Sequence, residues 1–182
     1  MNYHKIEKTS ISNGTGIRVV LWVSGCSLHC KGCHNPETWN LNSGKPFDEK
    51  AKKELFEALD KPYIQGITFS GGHPLEQKNA EEVLLLIKEI KEKFPTKDIW
   101  LYTGYTFEKI LEQYCNKSIY NLYKNVAEPN IWSNIKYIDV LVDGHFIEEE
   151  KDITLLFRGS KNQRLIDIQK TLKENQIVLY TN

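Results

Sequence analysis

The sequence predicts an α/β fold with a mainly parallel sheet, and three observations carry that prediction. Short β-rich apolar runs alternate with segments of helical periodicity along most of the 182 residues. The connections have the lengths of crossover helices, which return right-handed to a parallel sheet. Turn-forming or ligand-type residues also follow the strands directly: a cysteine-bearing loop after Val23, then Ser70-Gly71-Gly72, Thr103-Gly104 and Asp143-Gly144. Parallel strands end on one edge, so these four loops are expected to converge where such sheets carry their chemistry.

Ile17 to Val23 is the first strand, apolar enough to be buried on both faces. Asp48 is the expected N-cap of a helix over Glu49 to Leu59, which sets Ala51, Leu55 and Leu59 on one face. A short strand, Gly66 to Phe69, leads into the Ser-Gly-Gly turn. The clearest helix runs from Asn79 to Phe94, with Ala80, Val83, Leu84, Ile87, Ile90 and Phe94 as its apolar stripe. Asn79 and Glu82 are its expected capping pair. A third strand follows at Asp98 to Tyr102, then a helix from Thr106 to Tyr114, and a fourth strand at Ile138 to Val142. Between the last two, Asn116, Asn121, Asn125, Pro129 and Asn130 break the periodicity, so 116–137 reads as an irregular segment or insertion. The tail fits strand and helix equally well between Leu165 and Leu172. No boundary divides residues 1–182, which read as one domain.

Lys+Arg and Asp+Glu number 24 each, so no basic face for nucleic acid is implied. Apolar stretches such as Val83 to Ile87 are far short of a membrane span. Met1 to Lys5 lacks the apolar core of a signal peptide, which points to the cytoplasm. In that reducing compartment four cysteines suggest metal or catalysis before disulfides. Cys115 stands apart and reads as a half-buried thiol without a role.

Cys26, Cys30 and Cys33 form a C-x3-C-x2-C loop directly after the first strand. Three is the informative number, because a closed zinc site or a fully protein-held [4Fe–4S] cluster wants four ligands. Three thiolates can hold three corners of a cubane and leave one iron open to a chelating substrate. The alternative is a Cys3His zinc knuckle that borrows His29 or His34, a binding module without catalysis. Gly71-Gly72 permits close backbone approach to a ligand. Asp143 reads either as a turn former or as a ligand contact. Arg158, Lys161 and Arg164 read either as a solvated charge run or as shaped contacts, since Gly159-Ser160 and Asn162-Gln163 lie between them. Trp22 and Trp39 read as packing residues.

The cysteine loop resembles the cluster loop of radical S-adenosylmethionine (SAM) enzymes. Ile67-Thr68-Phe69-Ser70-Gly71-Gly72-His73-Pro74-Leu75 is similar to their second signature, with His73 where a carboxylate is usual. Arg18 to Cys26, Cys33-His34-Asn35-Pro36-Glu37-Thr38-Trp39, Tyr102 to Tyr105, Asp139 to Gly144 and Phe157 to Arg164 narrow the likeness. Together they resemble the anaerobic ribonucleoside-triphosphate reductase activating proteins; His145, after Asp-Gly, departs from that pattern. The last motif separates these from pyruvate formate-lyase activases, which are the alternative.

The resemblance implies an incomplete, open β/α barrel of radical SAM type. A full barrel takes about 250 residues, more than this chain holds. It implies a [4Fe–4S] cluster on Cys26, Cys30 and Cys33, with SAM on the fourth iron. Gly32, Cys33 and His34 are then expected beside the adenine, although Gly32 stands where an aromatic is usual. Gly71, Gly72 and His73 are expected at the SAM ammonium. An imidazole accepts from that ammonium only when neutral, so binding is expected to weaken as His73 protonates. Asp143, Arg158, Ser160, Asn162, Gln163 and Arg164 are expected to touch SAM or the partner. The implied reaction is reductive cleavage of SAM, with an electron from a flavodoxin-like or ferredoxin-like donor. The resulting radical takes hydrogen from a glycine of the reductase.

Overall fold

The computed structural model describes residues 1–114 and 131–181. Within them the strands are β1 (Asn2–Ser10), β2 (Arg18–Val23), β3 (Lys45–Pro46), β4 (Gly66–Gly71), β5 (Asp98–Tyr102), β6 (Val140–Asp143) and β7 (Arg164–Asp167). The helices are α1 (Glu49–Leu59), α2 (Gln77–Lys93), α3 (Phe107–Tyr114) and α4 (Ile168–Glu174). All strands join one open sheet in the order β3-β1-β2-β4-β5-β6-β7. The central β2-β4-β5-β6 run is parallel, whereas β1, β3 and β7 pair antiparallel at the flanks. The sheet is therefore mixed, and it does not close.

The antiparallel flanks correct the expectation of a mainly parallel sheet. β1 reads Asn-Tyr-His-Lys-Ile-Glu-Lys-Thr-Ser, too polar to register as a strand. Its backbone nonetheless pairs with β2 from Tyr3 opposite Val23 to Ser10 opposite Arg18. β7 follows β6 without a crossover helix, so it returns as a neighbour, with Asp143 opposite Arg164. The ambiguous tail holds both elements: the strand ends at Asp167, whose Oδ1 accepts the Lys170 N–H at 2.9 Å and starts α4.

The remaining helices follow their caps. Asp48 Oδ1 accepts the Ala51 N–H at 2.9 Å, as expected for α1. α2 begins two residues before the expected Asn79, at Gln77 with Glu76 as N-cap. The Asn79 side chain turns inward instead, donating to Ser24 O at 2.8 Å and His73 O at 3.2 Å. Glu82 pairs with the Met1 ammonium, so the expected capping pair does not form. Of the irregular 116–137 stretch, Ile131–Tyr137 is a short 3-10 helix; Asn134 ties it to Leu84 O on α2 at 3.3 Å, and Ile135 is buried. Residues 116–130 and Cys115 lie outside the described residues.

Strand alternation gives the sheet two unlike faces. Val19, Leu21, Val23, Ile67, Phe69, Ile99, Leu101 and Leu141 are fully buried in one cluster with Leu55, Leu84, Ile87, Ile90 and Ile110 of the helices. The opposite face presents Arg18, Val20, Trp22, Thr68, Ser70, Trp100 and Tyr102, and it stays partly open. Arg18 closes its lower end: the buried guanidinium pairs with Asp98, donates to Thr68 Oγ1 at 2.9 Å and lies 5.2 Å from the Trp100 ring centre. Among the described residues no helix is long and apolar enough to cross a membrane.

Candidate functional site

The C-terminal ends of β2, β4, β5 and β6 open onto a cavity of about 430 Å³, a size common to small-molecule sites. The four loops expected to converge do so, with Cys26, Gly72, Thr103 and Gly144 all on its wall. The fourth side is a strap, residues 144–163, that joins β6 to β7 and adds Phe146, Leu155 and Phe157. Phe157 adopts a left-handed backbone, φ 60°, and its ring meets Trp100 edge-on at 5.3 Å. Tyr102 holds it there by donating its hydroxyl to Phe157 O at 2.7 Å.

Backbone bonds hold the cysteine loop at the top of β2. Gly25 N–H donates to Thr38 O at 2.6 Å and Cys26 N–H to Trp39 O at 3.0 Å. Glu76 secures the next residue, accepting the Ser27 N–H at 2.8 Å and its hydroxyl at 2.7 Å. The Glu76 carboxyl is drawn down to about 2, first by the His73 imidazole and then by Ser27. Nδ1 of that imidazole lies 3.9 Å from Glu76 Oε2, beyond a close hydrogen bond.

All three thiols are free of disulfides; Cys26 is buried, while Cys30 and Cys33 are half-buried. Each sulfur faces backbone N–H groups: Leu28 and His29 at Cys26, Phe146 at Cys30, and Asn35 at Cys33, the last at 3.4 Å. Burial pushes the Cys26 and Cys30 thiols up, and neighbouring thiols add to it: Cys30 and Cys33 at Cys26, and Cys33 at Cys30. Three neighbouring thiolates backed by amide donors call for a cationic partner to offset their repulsion. Among the described residues no three His, Cys, Asp or Glu side chains are gathered round one metal-sized point. A cubane asks for a wider spread, because its irons sit at separate corners. His29, one possible fourth ligand of a zinc knuckle, has its ring on Trp39 at 4.7 Å.

The Gly-Gly turn is stapled to that loop. Gly72 N–H donates to Val23 O at 2.9 Å and His73 N–H to Gly25 O at 2.7 Å. Gly71 has φ 100°, and a Cβ at Gly72 would lie 2.6 Å from Gly25 O, so both positions require glycine. Removing their side chains leaves this part of the wall as bare backbone.

Residues 12–166 match a family model described as a 4Fe-4S single cluster domain. The anaerobic ribonucleoside-triphosphate reductase-activating protein of Enterobacteria phage T4 is 42% identical over 165 residues, spanning 91% of this chain and 93% of that protein. The protein of the same name from Escherichia coli K12 is 39% identical, over 90% and 96%. Its counterpart in Vibrio cholerae is 38% identical over the same shares. The chain belongs to the anaerobic ribonucleoside-triphosphate reductase-activating proteins.

In this member of the reductase-activating family, Gly32, Cys33, His34, Gly71, Gly72 and His73 all line the cavity. His73 does so differently from expectation. It is 1% exposed, and its Nε2 is engaged with Thr103 Oγ1 at 2.8 Å. Tyr105 meets the ring edge-on at 4.4 Å, and Nδ1 is buried on the Glu76 side. The imidazole is packed into the wall, so the expected acceptance from an ammonium, and the pH dependence tied to it, do not follow from this geometry.

The Phe157 to Arg164 motif also differs from its expected role, because most of it braces the strap. Asp143 is 1% exposed: Oδ2 accepts the Phe107 N–H at the start of α3, and both oxygens are held by Arg164. Arg164 also makes a two-point pair with Glu108. Neither residue of this pair is free for a ligand, and Arg164 is no solvated charge. Arg158 donates to Gln163 O at 2.7 Å. Gln163 Oε1 accepts the N–H groups of Gly159 and Ser160 while its amide donates to Gly144 O. Ser160 Oγ accepts the Ile147 N–H, and Asn162 donates to His145 O. Of this motif Phe157, Arg158, Gly159 and Gln163 reach the cavity wall. Lys161 remains exposed. Glu76 and Asn79, which position the cysteine loop and the Gly-Gly turn, were not legible as site residues: Asn79 reads as a helix cap, and Glu76 carries no signal of its own.

Proposed function

We propose that Cys26, Cys30 and Cys33 hold a [4Fe–4S] cluster completed by SAM, and that this centre serves to activate an anaerobic ribonucleoside-triphosphate reductase. The observation that carries the reading is the set of three free thiols, each facing backbone N–H groups, on one cavity wall with Gly71-Gly72. When bound, the cluster and SAM supply one-electron cleavage of the sulfonium and hydrogen abstraction from a glycine Cα of the partner. The protein's own residues bind, orient and shield. Gly71 and Gly72 keep a bare backbone wall for the methionyl end, and the backbone of Gly32, Cys33 and His34 borders the adenine. Trp22, Tyr102 and Phe157 line the cavity with rings that limit water.

The target is proposed from the relatives in phage T4 and Escherichia coli, whose names carry that reductase. The open sheet is read as an incomplete β/α barrel of radical SAM type, open enough to admit a protein segment. A flavodoxin-like or ferredoxin-like protein is the proposed electron donor, and the cytoplasm, which keeps thiols reduced, is the proposed compartment.

The test is anaerobic reconstitution followed by SAM cleavage and electron paramagnetic resonance. Cys26→Ala, Cys30→Ala and Cys33→Ala should each reduce SAM cleavage to background, and Cys115→Ala should leave it intact. Mixing the reduced protein with SAM and the reductase should produce a glycyl doublet. Activity in any triad variant, or a doublet with pyruvate formate-lyase but none with the reductase, would overturn the reading.

A further inference from the structure

Cys30 differs from the other two thiols in drawing its support from far along the chain. His145 Nδ1 lies 3.5 Å from Cys30 Sγ, and the next residue, Phe146, turns its N–H to the same sulfur. Several bonds hold this part of the strap in place. Asn162 Nδ2 donates to His145 O at 2.7 Å, Gln163 Nε2 donates to Gly144 O at 3.0 Å, and the Ile147 N–H reaches Ser160 Oγ at 3.3 Å. On the cysteine side, Lys31 pairs with Glu148 at 3.0 Å and Glu149 at 3.1 Å. The two loops are thus clipped together on both sides of the sulfur.

We propose that His145 is a positioning residue for the cluster, donating its Nδ1–H to Cys30 Sγ and thereby raising the reduction potential of the centre. The inference rests on Cys30 being a cluster ligand. A ligating sulfur carries no proton, so in the loaded protein the hydrogen bond has one direction, from Nδ1 to Sγ. A donor at the sulfur draws charge away from iron and favours the more negative, reduced cluster. The strap motif contributes to that effect without touching the cluster: Asn162, Gln163 and Ser160 fix the backbone from which His145 reaches.

The test uses the full chain, reconstituted anaerobically and titrated with redox mediators without SAM, with iron and sulfide content measured alongside. In His145→Leu the cluster should become about tenfold harder to reduce, a shift of about 59 mV toward negative potential for one electron. His145→Asn places an amide donor near the Nδ1 position and should recover most of the wild-type value. Asn162→Ala, which frees the His145 backbone, should shift the potential the same way by less. An unchanged or more positive potential in His145→Leu overturns the inference. So does loss of the cluster in both His145 variants; loss in the leucine variant alone, with wild-type potential in the asparagine one, supports it. A wild-type chain that assembles no cluster refutes the underlying assignment of Cys30 instead, so the two failures are distinguishable.

Discussion

Along β2, Val19, Leu21 and Val23 point into a layer of helices and meet only hydrocarbon, whereas Arg18, Val20 and Trp22 point the other way. On that second side stand a guanidinium, hydroxyls and indoles, and the face ends in an open cavity. One strand therefore serves two purposes through its period of two. The covered face holds the sheet together by apolar burial. The concave face is held by specific polar contacts and leaves room for a ligand.

Substitutions on the two faces should separate these roles. Phe69→Ala, in the middle of the covered face, should cost about 3–5 kcal/mol of stability by loss of burial and creation of a cavity. Urea denaturation measures that loss, while SAM affinity per folded molecule should not change. Arg18→Met, at the lower end of the concave face, should cost about 2–4 kcal/mol, because it leaves Asp98 without its buried partner. A neutral result there would show that hydrocarbon suffices on both faces, and the contrast between them would break.

The smallest effect is expected at Glu76, which sharpens the contrast by its pH dependence. Its carboxyl is held at about 2 against an ordinary 4.5. A depressed carboxyl contributes stability that is full above the ordinary value and lost as pH falls toward the folded one. Glu76→Gln should therefore destabilise the protein by on the order of 1–2 kcal/mol near neutrality, after screening by nearby solvent. The gap between wild type and variant should close between pH 4.5 and about 2, followed by denaturation at several pH values. A gap that stays constant with pH would show that Glu76 acts by shape and not by charge.

The central strands and the convergence of four loops were legible because each carries a local signal: an apolar run of fixed period and a turn directly after it. The cysteine triad was legible because its spacing alone brings three thiols onto one loop. Features that depend on distant partners were not. β1 is polar, and only pairing with β2 makes it a strand. Asn79 sits where a helix cap is expected, yet two carbonyls of the site recruit its side chain. Asp143 reads as a turn former or a ligand contact, and Arg164 as a solvated charge or a shaped contact, until the antiparallel return of β7 sets them opposite one another. His73 likewise is claimed by Thr103, a neighbour that only the parallel pairing of β4 and β5 supplies.

The clip between the strap and Cys30 also has a consequence for biosynthesis. His145 follows Cys30 by 115 positions in the chain. At about 5–20 residues per second, the ribosome releases the cysteine loop roughly 6–23 s before the residues that cover it. During that interval the nascent thiols have neither the strap nor its amide donors beside them. If the proposed cluster forms on these thiols, the strap's support for Cys30 arrives only once His145 and Phe146 have been made.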